Sequence, residues 1–112
     1  MLTLLAAAAM VLSQHLQHSV EVVPGAIEEP CVSLQKNDRI EFSFSADQVL
    51  DFNLHYHAES VVFPADYSAI ASHTGSYIAP AARQYCLMWT NKQSGPVKLD
   101  YEYRIYTSQE DK

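Results

Sequence analysis

From Val20 onward, apolar residues recur at every second position, and this period limits what the chain can fold into. Ile40, Phe42 and Phe44 alternate with Glu41, Ser43 and Ser45. Leu50, Phe52, Leu54 and Tyr56 alternate with Asp51, Asn53, His55 and His57. Tyr85, Leu87 and Trp89 alternate with Cys86, Met88 and Thr90, and Leu99, Tyr101, Tyr103 and Ile105 with Asp100, Glu102 and Arg104. Successive side chains of a strand point to opposite faces, so each run describes a strand with one face buried and one face wet. The 3.6-residue stripe of an amphipathic helix is absent from all of them.

Turn chemistry separates the runs. Gln35-Lys-Asn-Asp38 precedes the first, and Asn91-Lys-Gln-Ser-Gly-Pro96 precedes the last. Between them, Val61-Val-Phe63 reads as a short strand stopped by Pro64, which has no N–H for a central ladder. A loop containing His73, Thr74 and Gly75 follows, then Ser76-Tyr-Ile78 as another short strand, broken again at Ala79-Pro-Ala-Ala-Arg83. Seven or eight short strands in one small domain of 112 residues predict an all-β fold, an antiparallel β-sandwich. With 48% hydrophobic and 18% charged residues the chain has the material for a core.

The front of the chain differs. Leu2 to Leu12 carries no charge and ends at Ser13. Its length is about half that needed to span a bilayer as a helix, and it matches the apolar part of a secretory signal. Val11 and Ser13 supply small side chains for a cut before Gln14, although no Lys or Arg precedes the run. The expected organisation is a signal-like segment over 1–13, an N-terminal arm over 14–28 carrying His15 and His18, a sandwich over 29–106 and a polar tail over 107–112. The expected location is the periplasm or the exterior, with no membrane span once the signal is removed. Thirteen acids against seven scattered bases, a formal charge of −6, argue against a nucleic-acid partner.

The segment Gly75–Asn91, followed by a turn and Val97-Lys-Leu-Asp-Tyr-Glu-Tyr103, resembles the C-terminal half of GOLD domains. In that family an aromatic-rich strand ending in Asn leads through a turn into a final strand of alternating apolar residues. The likeness covers about residues 29–106 and implies a jelly-roll or GOLD-like sandwich in a free-standing, exported, bacterial form. In the cargo receptors of the family, one cysteine before the first core strand pairs with another in the aromatic strand, and Cys31 and Cys86 occupy the matching places. The resemblance does not extend to the coiled coil, membrane helix and cytosolic tail of those receptors, so it implies no trafficking role. The implied Cys31–Cys86 disulfide agrees with export, and free buried thiols or a reactive or metal-binding thiol are the alternatives. Closing a loop of about 55 residues contributes roughly 4 kcal/mol in the chain-entropy model.

His55-Tyr56-His57 is the sharpest polar feature. Alternation puts both imidazoles on one face about 6.6 Å apart along the strand, a spacing that suits two ligands of one zinc or copper ion. His73 or Asp51 would supply the third ligand, and the alternative is a solvated or hydrogen-bonded face. A blue-copper centre needs a histidine shortly after the cysteine, and every histidine here precedes Cys86. Ser72-His-Thr-Gly-Ser76 forms no nucleophile elbow, and Glu28, Glu29, Asp51 and Glu59 show no sign of converging. Trp89, Tyr85, Tyr101 and Tyr103 are expected in the core rather than on a binding face. The sequence therefore predicts an exported, non-enzymatic binding module for a protein or small-molecule ligand, with no cofactor. The alternative is a periplasmic metal-binding protein using His55, His57 and His73.

Overall fold

A computed structural model describes residues 9–109. The strands are β1 (Ala9–Val22), β2 (Ile27–Glu28), β3 (Cys31–Leu34), β4 (Arg39–His57), β5 (Val61–Ile78), β6 (Arg83–Thr90) and β7 (Val97–Gln109). All pairings are antiparallel, and the described residues contain no helix.

β4 organises the fold. β5 follows one of its edges, from Arg39 opposite Ile78 to His57 opposite Val61. The other edge is divided: β7 pairs with Arg39–Ala46 and β6 with Asp51–Tyr56. β1 lies outside β7, and β2 and β3 lie outside β6. The register shift between Ser45 and Leu50 is the bend at which the sheet turns over on itself. Phe44 before the bend and Phe52 after it meet with ring centroids 5.0 Å apart. One seven-stranded sheet thus becomes a nearly closed two-layer sandwich, the all-β architecture that the alternating pattern predicts.

Nearly all the apolar residues that the alternation singles out are in the core, Tyr56 being half-buried. Val22, Val32, Leu34 and Ala79 join it from outside those runs, and Asn53 and His55, on the face expected to be wet, are buried as well. Ile40, Phe42, Phe44, Leu50, Phe52, Leu54, Tyr85, Leu87, Trp89, Leu99, Tyr101, Tyr103 and Ile105 are all buried. Trp89 joins the layers, 5.5 Å from Phe44, 5.1 Å from Phe52 and stacked on Tyr101 at 4.6 Å. Aromatic contacts of this kind are each worth about 0.5–1.5 kcal/mol beyond the area they bury. Tyr85 and Tyr101 keep their hydroxyls satisfied, donating to the Ala81 carbonyl (2.6 Å) and to Glu28 (2.7 Å).

Three expectations change. Val61–Ile78 is one strand rather than two short strands around a loop. Pro64 is tolerated because β5 is an edge strand, where a missing N–H costs the ladder nothing. Gly75 is not a loop residue: it lies opposite Phe42, and a Cβ there would sit 2.8 Å from that ring. Ile40–Ser45 and Val49–His57 likewise belong to the single bent strand β4. Finally, His15 and His18 lie in β1 rather than a loose arm, paired with Arg104 and Tyr101. Of the signal-like segment, residues 1–8 lie outside the described part, and residues 9–13 begin β1. Of the polar tail, residues 107–109 end β7, and residues 110–112 lie outside the described part.

Candidate functional site

The half-sheet β1–β7–β4–β5 turns one face to the core and the other to solvent. On the solvent side the registers place side chains in rows across four strands. Ile78, Arg39, Tyr106 and Leu12 form the first row; Ser76, Glu41, Arg104 and His15 the second. Thr74, Ser43, Glu102 and Gln17 form the third; Ser72, Ser45, Asp100 and Ser19 the fourth. Strand spacing of about 4.8 Å and about 6.6 Å between alternate residues make this a patch of roughly 15 by 20 Å. Its first row sets the Arg39 guanidinium among apolar and aromatic side chains, with Ile78 58% and Leu12 48% exposed. The other three rows carry hydroxyls, amides, carboxylates, one guanidinium and one imidazole.

Two adjoining depressions open on this face and share Ser43 and Glu102. One of about 380 Å³ is lined chiefly by Glu41, Ser43, Thr74, Ser76, Glu102 and Arg104. The other, of about 330 Å³, reaches Gln17, Ser19, Ser45 and Asp100.

Glu102 is the hub. Gln17 Nε2 donates to its Oε2 (3.1 Å), His15 Nε2 lies 3.0 Å from the same oxygen, and Arg104 Nη1 lies 3.4 Å from Oε1. The hydrogen bonds from His15 and Gln17 hold its carboxyl below the usual value. Arg39 pairs with Glu41 at 3.3 Å and lies over the Tyr106 ring at 5.0 Å, and Ser19 donates to Asp100. These contacts order the long side chains without covering them, since Glu41 and Arg104 retain about two-fifths of their side-chain exposure, 41% and 38%.

The histidines of the proposed metal set divide. His55 and His57 meet edge to face at 5.4 Å. His55 is 5% exposed, with Nδ1–H donating to Asn53 Oδ1 (2.7 Å) and Nε2 3.2 Å from Glu29 Oε2. His73 lies on the opposite side of β4, facing Phe44 in the register and 4.5 Å from Tyr67, 6.1 Å from Phe52 and 6.2 Å from Phe42. Asp51 is engaged by Lys92 (2.7 Å) and the Ala69 N–H (2.9 Å), and the Lys92 hydrogen bond chiefly lowers its pKa. The acids do not share a site either: Glu28 accepts from Tyr101, while Glu29 lies against His55.

Cys31 and Cys86 form a disulfide between directly opposed positions of β3 and β6. The polar rows were not foreseen. β4 and β7 show their alternation in the sequence, whereas β1 reads as a signal-like front with an arm and β5 as two short strands, and the adjacency of these four strands is a fact of topology.

No family model and no curated protein sequence matches this chain. Among solved structures it is similar to Aeromonas hydrophila PliG, a periplasmic lysozyme inhibitor of g-type lysozyme, with a TM-score of 0.60 and 12% identity over 81% of this chain and 85% of that one. It is also similar to the N-terminal cellulose-binding domain of β-1,4-glucanase C from Cellulomonas fimi, with a TM-score of 0.51 and 12% identity over 84% of this chain and 79% of that one. At such identities the likeness is one of fold, and the fold is the antiparallel β-sandwich.

Proposed function

We propose that the protein is an exported, non-enzymatic binding module that meets its ligand with the solvent face of the β1–β7–β4–β5 half-sheet. The observation that carries this reading is the ordered polar lattice around Ser43 and Glu102, with two depressions opening on it. A disulfide in a chain with a signal-like front supports export, because such bonds persist in oxidising compartments. The resemblance to GOLD domains supports an interaction module, as does the kinship of fold with an inhibitor and a binding domain.

The chemistry of the face favours a polyhydroxylated ligand, a carbohydrate chain. Donors and acceptors alternate over rows two to four, so ligand hydroxyls would find partners of both kinds. Those rows hold no aromatic anchor of the sort that dominates protein–protein contacts. Tyr106, Ile78 and Leu12 provide an apolar margin for a sugar ring.

Calorimetric titration with a panel of soluble oligosaccharides, cello-oligosaccharides among them, tests the reading. At least one should bind, and Ser43→Ile and Glu102→Ala should each weaken it tenfold or more, about 1.4 kcal/mol, with the fold intact. Ligand binding unchanged in both variants would refute the assigned face. Binding to g-type lysozyme but to no oligosaccharide would refute the carbohydrate reading.

A further inference from the structure

On the far half of β4, away from the polar lattice, Cys31, Cys86 and His55 stand in one row across three strands. Cys31 is directly opposite Cys86 in the β3–β6 register, and Cys86 directly opposite His55 in the β6–β4 register. Opposed residues project from the same side of a sheet, so the three side chains share a face. Glu29, two residues before Cys31, closes the group: its carboxylate, the His55 ring nitrogen and the Cys86 sulfur all lie within 4.8 Å of one another. The disulfide occupies two of these four positions.

We propose that reducing the Cys31–Cys86 disulfide creates a site for a soft divalent cation, zinc above all. The ligands are the two thiolates, His55 Nε2 and a Glu29 carboxylate oxygen. Two sulfurs, one imidazole and one oxygen suit tetrahedral zinc, whose bonds of about 2.0–2.3 Å put neighbouring ligand atoms about 3.3–3.8 Å apart. His55 Nε2 and Glu29 Oε2 already lie 3.2 Å apart. Opposed places in the β3–β6 ladder keep the two cysteines together once the sulfur–sulfur bond is gone.

The surroundings favour binding. Nδ1–H of His55 donates to Asn53 Oδ1 at 2.7 Å, which fixes the ring and leaves Nε2 as its ligating nitrogen. His55 is 5% exposed, so the ion would lie against a nearly dry wall. The two cysteines differ in access, the Cys31 residue being exposed and Cys86 6% exposed. A thiolate of an external dithiol therefore attacks Cys31, and Cys86 leaves as a thiolate beside His55. The second dithiol sulfur then displaces Cys31. The dithiol gives up two electrons and becomes a cyclic disulfide, the protein disulfide takes up those electrons, and the dithiol's two protons pass to the cysteines. Zinc binding releases those two protons to solvent. In the oxidised protein only Glu29 and His55 of the set remain as ligands.

The test uses the full chain, oxidised or reduced by a dithiol that is then removed without air, dialysed against zinc alone. The reduced protein should hold one zinc per chain, releasing two protons on binding, and its melting temperature should rise with zinc. The oxidised protein should bind at least tenfold more weakly. Glu29→Gln and Asn53→Ala should each weaken zinc binding to the reduced protein by 10–100-fold, the usual range for losing an outer-shell partner and a minimum for losing a ligand. A reduced chain that takes up no zinc, folded or not, overturns the proposal. So does equal binding by the oxidised form, or unchanged affinity in Cys31→Ser. Zinc held by the oxidised protein and lost in His57→Ala would instead establish the His-x-His site.

Discussion

Asn91 immediately follows β6 and has no exposed surface, 0%. Its Nδ2 donates to the carbonyls of Val22 (2.8 Å) and Gly95 (2.9 Å), and its Oδ1 accepts from the Gln93 N–H (2.7 Å). Its backbone accepts from Gly25 N–H (2.9 Å) and donates to Ala26 O (3.1 Å). One side chain thus ties the end of β1 to the β6–β7 turn. In Asn91→Ala the Val22 carbonyl loses a partner in a buried setting, at about 2 kcal/mol, whereas the half-buried Gly95 and Gln93 groups regain some water and cost about 0.5–1 kcal/mol each. The expected loss is about 3–4 kcal/mol, a large part of the total stability of a domain this size. At roughly 4–8 °C per kcal/mol, the melting temperature should fall by about 12–32 °C. Asn91→Asp is the sharper control, because it keeps an acceptor for Gln93 but replaces the NH₂ donor with oxygen facing two carbonyls. It should destabilise at least as much. Urea unfolding followed by Trp89 fluorescence measures both, with the denaturant slope unchanged if only stability moves. A loss below about 1 kcal/mol for Asn91→Ala, or a milder effect for Asn91→Asp, would refute the reasoning.

Three further outcomes follow from the packing and the charges. Trp89→Phe should cost less than Phe52→Ala in urea unfolding: it keeps an aromatic in the core and removes an Nε1–H that is buried without a hydrogen-bond partner, whereas Phe52→Ala opens a cavity between the layers. Replacing both Cys31 and Cys86 with serine should cost up to about 4 kcal/mol by the loop-closure argument, and a variant as stable as the native protein would remove the disulfide from the account. The carboxyl of Glu102 has a lowered folded-state pKa, so its contribution is present above its ordinary value of 4.5 and is lost as pH falls through the folded value. Glu102→Gln should therefore flatten the acid limb of melting temperature against pH below 4.5, and an unchanged limb would show that Glu102 gains nothing from His15 and Gln17.

The alternating pattern made the core legible almost residue by residue, because period two leaves little freedom once one face must be buried. Strand boundaries were less legible. Asp47 and Gln48 break the alternation at the bend of β4, so a strand that crosses from one layer to the other reads as two. Pro64 and Gly75 are turn residues by composition, but one is harmless on an outer edge and the other makes room for the Phe42 ring. The apolar front of the chain hid the start of β1, since Ala9–Leu12 serves a strand and a signal core equally well. The His-x-His pair was visible from spacing, but the placement of His73 against Phe52 depends on which face of β5 meets β4. The polar lattice has the same cause: Ser43, Glu102, Gln17 and Thr74 come from four strands far apart in sequence and become neighbours through the registers.

The central claim is that the solvent face of the β1–β7–β4–β5 half-sheet is the binding surface. Amide chemical-shift mapping of the isotope-labelled protein, titrated with the tightest oligosaccharide of the panel, tests it most directly. The account predicts saturable shifts concentrated at Gln17, Glu41, Ser43, Thr74, Ser76, Glu102 and Arg104. Shifts centred instead on the β6–β7 turn, the β4–β5 turn or the Glu29–His55 cluster would contradict it.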